Sequence, residues 1–452
     1  MTGIALIIAF VVAIVAMILL ISKLKVHPFL AIMGISLLLA ILAGIPLTEI
    51  PDVIGAGFSG TFTSIGIVII LGAFIGSVLE KTGAALKLAD MVIKLVGEKN
   101  PGLAIELMGW VVSIPVFCDS GFVILNPIRK ALVKRTHVSS VTMTVCLSCG
   151  LYIAHVFIPP TPGPIAAAQK LGVGDNLLLV IGIGVLCSIL PLIAGLIYAK
   201  MIGKKIKSAD ELEDNGEVVK TYEELKAEYG KLPNGFMATA PLIVPILLMT
   251  LSSVAKMAKW EGGLNDLSLF LGTPIMALAA GTILAIVALF ASGKQKDFYE
   301  LTNETLKTVG PILFVTAAGG VLGKVIASSD MVNFISDNAN VLQAIGIFFP
   351  FLLAAILKSA QGSSTVAITT TAGIVAPLLN VLGFVKPVEI ALVVMAIGAG
   401  AMTVSHANDS YFWVVTNFGE MKPEEGYKTQ TMMTLVIGLA AMVEIFALSL
   451  IF

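Results

Sequence analysis

Apolar runs of about 18–25 residues recur along the whole chain, each long enough to cross roughly 30 Å of hydrocarbon as a helix. At membrane depth the backbone must satisfy its own hydrogen bonds, which restricts what such runs can fold into. Composition agrees: 57% of the residues are apolar and 13% charged, and the mean hydropathy is +0.98. A soluble chain carries about twice that share of charge. An all-α polytopic membrane protein is expected. The first run, Ile4 to Ile21, is too long for a signal-peptide core and no small-residue cleavage site follows it, so it reads as a retained span. A net charge of −1, with no basic cluster among aromatics, argues against a nucleic-acid partner. Cys118, Cys146, Cys149 and Cys187 all lie in apolar segments. Cys146-x-x-Cys149 has the spacing of a redox or metal pair, but reads here as two small residues on a membrane helix.

The positions of Lys and Arg give one consistent path through the bilayer. Ile4–Ile21 leads to Lys23 and Lys25, which places the N-terminus outside. A span from Phe29 to about Ile45 returns to an outer loop bearing Glu49 and Asp52. A third, about Thr61 to Leu79, comes back to Lys81, Lys87, Lys94 and Lys99, a stretch that reads as an amphipathic surface helix. Residues 103–128 hold Pro115 and Asp119-Ser-Gly121 and are cationic on both flanks, which predicts a re-entrant hairpin on the cytoplasmic side. Residues 138–169 cross outward, interrupted at Pro159-Pro-Thr-Pro-Gly-Pro164, and Leu177–Tyr198 crosses back. Residues 1–199 thus form a first repeat and 200–233 a charged cytoplasmic linker, with a short helix around Glu223-Glu224-Leu225-Lys226.

The plan recurs in residues 234–452. Spans are expected at about Phe236–Ser253, Leu267–Ala291 and Thr308–Ala327, the last reaching an outer segment with Asp330 and Asp337. Residues 344–379 have no cationic inner flank and fit an outer-side hairpin around Lys358-Ser-Ala-Gln-Gly-Ser-Ser-Thr365. A broken helix follows at 388–418, interrupted around Ser405-His-Ala-Asn-Asp409, and Met432–Phe452 ends outside. Each half then has five transmembrane helices plus one hairpin, and an odd number of crossings inverts one half against the other. The residues carry a matching trace: Phe74–Gly83 aligns with Val321–Asp330, Asp119–Gly121 with Gln361–Ser364, and His155 with His406, at offsets near 240–250.

Breaks at membrane depth are tolerated where protein buries them or water reaches them. Each presents the N-terminus of a half-helix, a ready anion site. Substrate-binding candidates are therefore Asp119, Ser120, Gly121, Thr161, Gly163, Gln361, Gly362, Ser363, Ser364, Thr365, His406 and Asn408, whose hydroxyls and amides suit a hydroxylated carboxylate. A helix-packing patch is the plainer alternative for Gly362–Thr365. Ionisable groups at depth are costly and point to function. Asp119, His155, His406 and Asp409 are the candidates to carry a proton, or else hydrogen-bond their breaks into shape. Lys358 either offsets substrate charge or snorkels to the outer surface. Glu444 reads as structurally paired, and His27 and His137, beside cytoplasmic loops, as incidental. The histidines lack metal-ligand spacing and no phosphate-binding loop appears, so neither metal nor cofactor is expected.

At these breaks the chain resembles the gluconate permease family, within the larger ion-transporter superfamily. Phe117-Cys-Asp-Ser-Gly-Phe-Val-Ile-Leu-Asn-Pro127, His155 to Pro164, Gly362-Ser-Ser-Thr-Val-Ala367 and Ser405-His-Ala-Asn-Asp-Ser-Tyr-Phe412 carry the resemblance, in order over nearly the whole chain. It implies a bacterial inner-membrane homodimer, not an enzyme, that imports gluconate or a related aldonate by proton symport. It also implies an elevator mechanism, with both hairpins on the mobile part. The family pattern has glutamate where Asp119 stands and histidine where Thr161 stands. Branches of the family take glycerate, four-carbon sugar acids or D-serine, so substrate length stays open. Sodium coupling also stays open, because carbonyls and hydroxyls at broken helices suit Na⁺. A cation/proton antiporter is the rival from another class. It would want carboxylates dominating the breaks, where Ser, Thr, Asn and Gln dominate instead.

Overall fold

The computed structural model describes residues 3–96, 100–212, 232–257, 260–330, 345–406 and 409–452, and every regular element among them is helical. In the first half, α1 (Gly3–Ser22) and α2 (Pro28–Leu42) precede α3 (Ile50–Thr61), which runs through one π-helical turn into α4 (Ile67–Lys81). Next come α5 (Ala84–Val96), α6 (Pro101–Ser113), α7 (Cys118–Thr136), α8 (Ser140–Phe157), α9 (Pro162–Lys170), α10 (Leu177–Leu186) and α11 (Ile189–Ile202). The second half holds α12 (Gly235–Met257), α13 (Gly263–Leu271), α14 (Pro274–Ala291) and the 30-residue α15 (Phe298–Ala327). It ends with α16 (Phe348–Gln361), α17 (Ser364–Val375), α18 (Pro387–Met402), α19 (Ser410–Phe418) and α20 (Met432–Ser449).

Among the described residues, seven helical runs are long and apolar enough to cross a membrane. Their surroundings differ sharply. The apolar window of the α8–α9 run is wholly buried inside the protein, whereas those in α1, α12 and α14 are only 31%, 28% and 33% buried. The interrupted helices therefore sit in the middle, wrapped by helices whose exposed Leu, Ile and Phe suit a lipid environment. Packing is reciprocal. The first arm of each helix–break–helix unit lies against the helix that follows the unit, α6 on α8 and α16 on α18. The second arms cross between halves, α7 on α19 and α17 on α9.

Several boundaries differ from the sequence reading. The expected span at 177–198 is two helices: Ser188 interrupts it and turns its hydroxyl back onto Gly184 O at 2.7 Å, competing with the helix ladder. The expected span at 267–291 also divides. Pro274 has no N–H to continue α13 and opens α14 as its first residue. The third span begins at Ile50 and its counterpart α15 at Phe298, both earlier than hydropathy alone suggests. The 200–233 linker is described at its start and from Leu232. Ala209 N–H bonds Glu420 O at 2.9 Å, and Glu211 accepts from Ser139 Oγ and Val141 N at 2.8 and 3.1 Å. Its Glu223–Lys226 segment, together with Asp337, lies outside the described residues.

Candidate functional site

The tip between α16 and α17 is two residues long. Gly362 takes φ +86°, the left-handed conformation that ends a helix without a Cβ penalty, and its N–H bonds Lys358 O at 2.8 Å. Ser363 then caps α17, its hydroxyl accepting from Val366 N–H at 3.3 Å. The tip between α6 and α7 spans Ile114–Phe117. Pro115 prevents α6 from continuing, and Ser113 Oγ donates to Val116 O at 3.1 Å. Asp119, in the first turn of α7, accepts from Ser410 Oγ at 3.0 Å, which joins this tip to the start of α19. On α4, Gly72 and Gly76 let the helix backbone pass directly over Pro160 O and Pro115 O, where a Cβ would collide.

A buried ion pair holds the break between α18 and α19. Lys358 Nζ lies 2.5 Å from Asp409 Oδ2, both side chains nearly inaccessible, and Lys358 also donates to Gly362 O in the tip at the end of its own helix. Ser405 Oγ donates to the same Asp409 oxygen, and Tyr411 N–H bonds the other at 3.1 Å, making Asp409 the cap of α19. Ser405 N–H is taken by Thr434 Oγ1 at 2.9 Å. Val404 sits at φ +61°, uncommon for a β-branched residue. Lys358 thus does not snorkel. Charge pairing welds one tip to one break, and losing either partner would leave an uncompensated buried charge.

Both tips and the start of α19 open onto one cavity of 460 Å³. Among the sequence candidates, Asp119, Ser120, His155, Gly362, Ser363, Ser364, Thr365 and Asp409 line it. Three helix N-termini (α7, α17 and α19) end at its wall, each contributing roughly half a positive charge. The Lys358–Asp409 pair is internally neutral, and the Asp119 carboxyl on the same wall opposes the positive field of these termini. His155 is buried, its Nδ1 has no hydrogen-bond partner, and its ring lies 5.9 Å from that of Phe117.

The other candidates sit elsewhere. Gly121 packs under Leu151 and Gly163 under Ile368. Thr161 turns its hydroxyl onto Ile158 O at 2.7 Å, and His406 Nε2 pairs with Ser359 O at 3.1 Å. Asn408 and the Gln361 side chain lie outside the described residues. Glu444 accepts Leu190 N–H at 3.0 Å.

The cavity also uses residues that were not among the site candidates: Phe117, Cys118, Ser410 and Tyr411, which stand in the quoted motifs, and Tyr152, Thr308 and Ile312, which do not. Tyr152 is the most informative of these. It sits one helical turn before His155 and so shares its face. Its ring lies 5.8 Å from Lys358 Nζ and 5.1 Å from the ring of Tyr411, with its hydroxyl unpartnered.

Comparison with known proteins places this architecture. The family model described as GntP family permease matches residues 5–451. The inner membrane permease YgbN of Escherichia coli is 34% identical over 436 residues, covering 94% of each chain. A gluconate permease of Zymomonas mobilis is 29% identical over 442 residues, covering 96% of each. The solved structure of the Alcanivorax borkumensis YdaH transporter shares the fold at a TM-score of 0.64 and 15% identity, covering 94% of this chain and 98% of that one. With the family matched from end to end and a bundle of membrane-length helices around a polar cavity, this chain belongs to the GntP permease family.

Proposed function

We propose that the protein is a secondary transporter of the bacterial inner membrane that imports a small hydroxy-monocarboxylate, gluconate or a related aldonate, by proton symport. The observation that carries the reading is the convergence of three helix N-termini on one cavity rich in hydroxyls. Such termini hold an anion without a permanent cation. Ser120, Ser363, Ser364 and Thr365 donate to and accept from substrate hydroxyls. A cation/proton antiporter would want carboxylates dominating the breaks, whereas hydroxyls outnumber carboxylates along this wall. Asp409 and His406 are already engaged by Lys358 and Ser359 O. The proton is therefore assigned to Asp119 and His155, which face the cavity.

Two inverted repeats, residues 1–199 and 234–452 joined by a cytoplasmic linker at 200–233, account for the reciprocal packing of α7 on α19 and α17 on α9. The two tips and two broken helices then move as one body against a dimeric scaffold, in an elevator cycle with both termini outside. Cysteine-accessibility labelling tests the orientation, since reaction of residues 213–231 from outside would reverse it. The deciding experiment is uptake by purified protein in liposomes under a pH gradient, with a sodium gradient tested separately. The panel holds gluconate, glycerate, four-carbon sugar acids and D-serine. Concentrative uptake of one acid under the pH gradient alone is the expected result, and the acid taken up fixes substrate length. Cation flux without acid uptake would overturn the reading.

A further inference from the structure

A second carboxyl group lies deep in the protein, away from the cavity. Glu106, on the first arm of the α6–α7 unit, is 0% exposed, and neither of its carboxyl oxygens has a hydrogen-bond partner. It stands seven positions before Ser113, the end of α6, or about 10 Å along the helix at about 1.5 Å per residue. It is absent from the cavity wall. Two helices close on it. Its backbone carbonyl lies against Gly150 of α8, where a Cβ would overlap it. A methyl group built on Gly195 of α11 would fall 3.2 Å from its Oε1. The titratable and charged groups that reach it are Cys149 and Cys146 from α8 and Lys200 from the last turn of α11. From α5 and α7, which also pack on α6, no such group among the described residues acts on it.

From this geometry we infer that Glu106 is a second proton-carrying group of the transport cycle, set in the contact of α6, α8 and α11 apart from the cavity. The inference rests on the symport reading above. Carrying a proton, the group is neutral and needs no counter-ion. Without one it needs a cation, and Lys200, exposed in the last turn of α11, is the one Lys or Arg on α6, α8 and α11. Releasing the proton therefore draws α11 and α6 into a different electrostatic relation. A packing residue at this three-helix contact would gain nothing from a carboxylate, because unsatisfied buried oxygens are costly.

The test uses full-length protein in liposomes and two assays, accumulation driven by a pH gradient and counterflow exchange without one. Glu106→Gln is expected to keep counterflow while losing gradient-driven accumulation by about tenfold or more, the range of a site coupling. Glu106→Asp is expected to restore part of it. Lys200→Gln changes only an exposed side chain, so it serves if Glu106→Gln does not fold. Removing that cation is expected to move the pH dependence of uptake toward higher pH, since proton release then becomes harder. Normal accumulation by Glu106→Gln, equal loss of both assays with no rescue by aspartate, or an unmoved pH profile in Lys200→Gln overturns the inference. Absence of proton-driven uptake in the wild-type protein would instead overturn the symport reading beneath it.

Discussion

The break at Ile158–Thr161 and the break at Thr403–Asp409 separate α8 from α9 and α18 from α19, yet different materials hold them open. The first is built from covalent geometry. Pro159, Pro160, Pro162 and Pro164 remove N–H donors and fix φ, and the one side-chain bond among its residues is Thr161 Oγ1 to Ile158 O. The second contains no proline. Its shape depends on Lys358, Asp409, Ser405 and the backbone of the tip between α16 and α17. A proline break keeps its form whatever charges lie nearby. An ion-pair break responds to any anion or proton that competes for its partners, so of the two breaks the one in the second half is the charge-sensitive one.

Removing Lys358 should sharpen that contrast most. Lys358→Met leaves Asp409 buried and unpaired, so a loss of about 3–5 kcal/mol in stability is expected, seen as a lower melting temperature in detergent, together with loss of uptake. The double variant Lys358→Met/Asp409→Asn should recover part of the stability, because the coupling of a contacting pair is not additive. A Lys358→Met protein as stable as wild type would erase the distinction between the breaks. Asp119→Asn comes next. It keeps an oxygen for Ser410 but cannot carry a proton, and pH-gradient-driven uptake should fall by about tenfold or more. Unchanged pH dependence would remove Asp119 from the coupling. Ser364→Ala removes one hydroxyl from the cavity wall, and substrate affinity should weaken by about 1 kcal/mol, roughly fivefold. Equal affinity in a binding titration would make Ser364 a packing residue.

How far the sequence disclosed this arrangement follows from what kind of signal each part leaves. Helices of membrane length, and the polar residues that interrupt them, were legible because hydropathy and Gly/Pro/Ser placement are local properties. The sharp tip at Gly362–Ser363 was legible for the same reason. Partnerships across about 50 residues or more were not. Nothing near Lys358 in sequence names Asp409 as its partner, and Tyr152 reads as one more apolar helix position until the fold turns it toward the cavity. Glu106 escaped because it is a single carboxylate in an apolar run with no polar neighbour. The splitting of the 177–198 span rests on Ser188 bonding back to its own helix, an effect too small for a hydropathy window to register.

The smallest expected effect is the one most specific to the comparison. Thr161 stands in the proline break, at a position corresponding in kind to those that hold the ion-pair break together. Its hydroxyl satisfies Ile158 O and reaches no charged group. Thr161→Ala therefore forfeits one neutral hydrogen bond, about 1 kcal/mol or less, while Pro160 and Pro162 still hold the chain in its course. Stability and uptake should both stay near wild type. A collapse of uptake in Thr161→Ala, without a matching loss of melting temperature, would mean that this hydroxyl turns from Ile158 O to the substrate during the cycle. The first break would then be as responsive as the second, and the assignment of sensitivity to one of the two breaks would have to be abandoned.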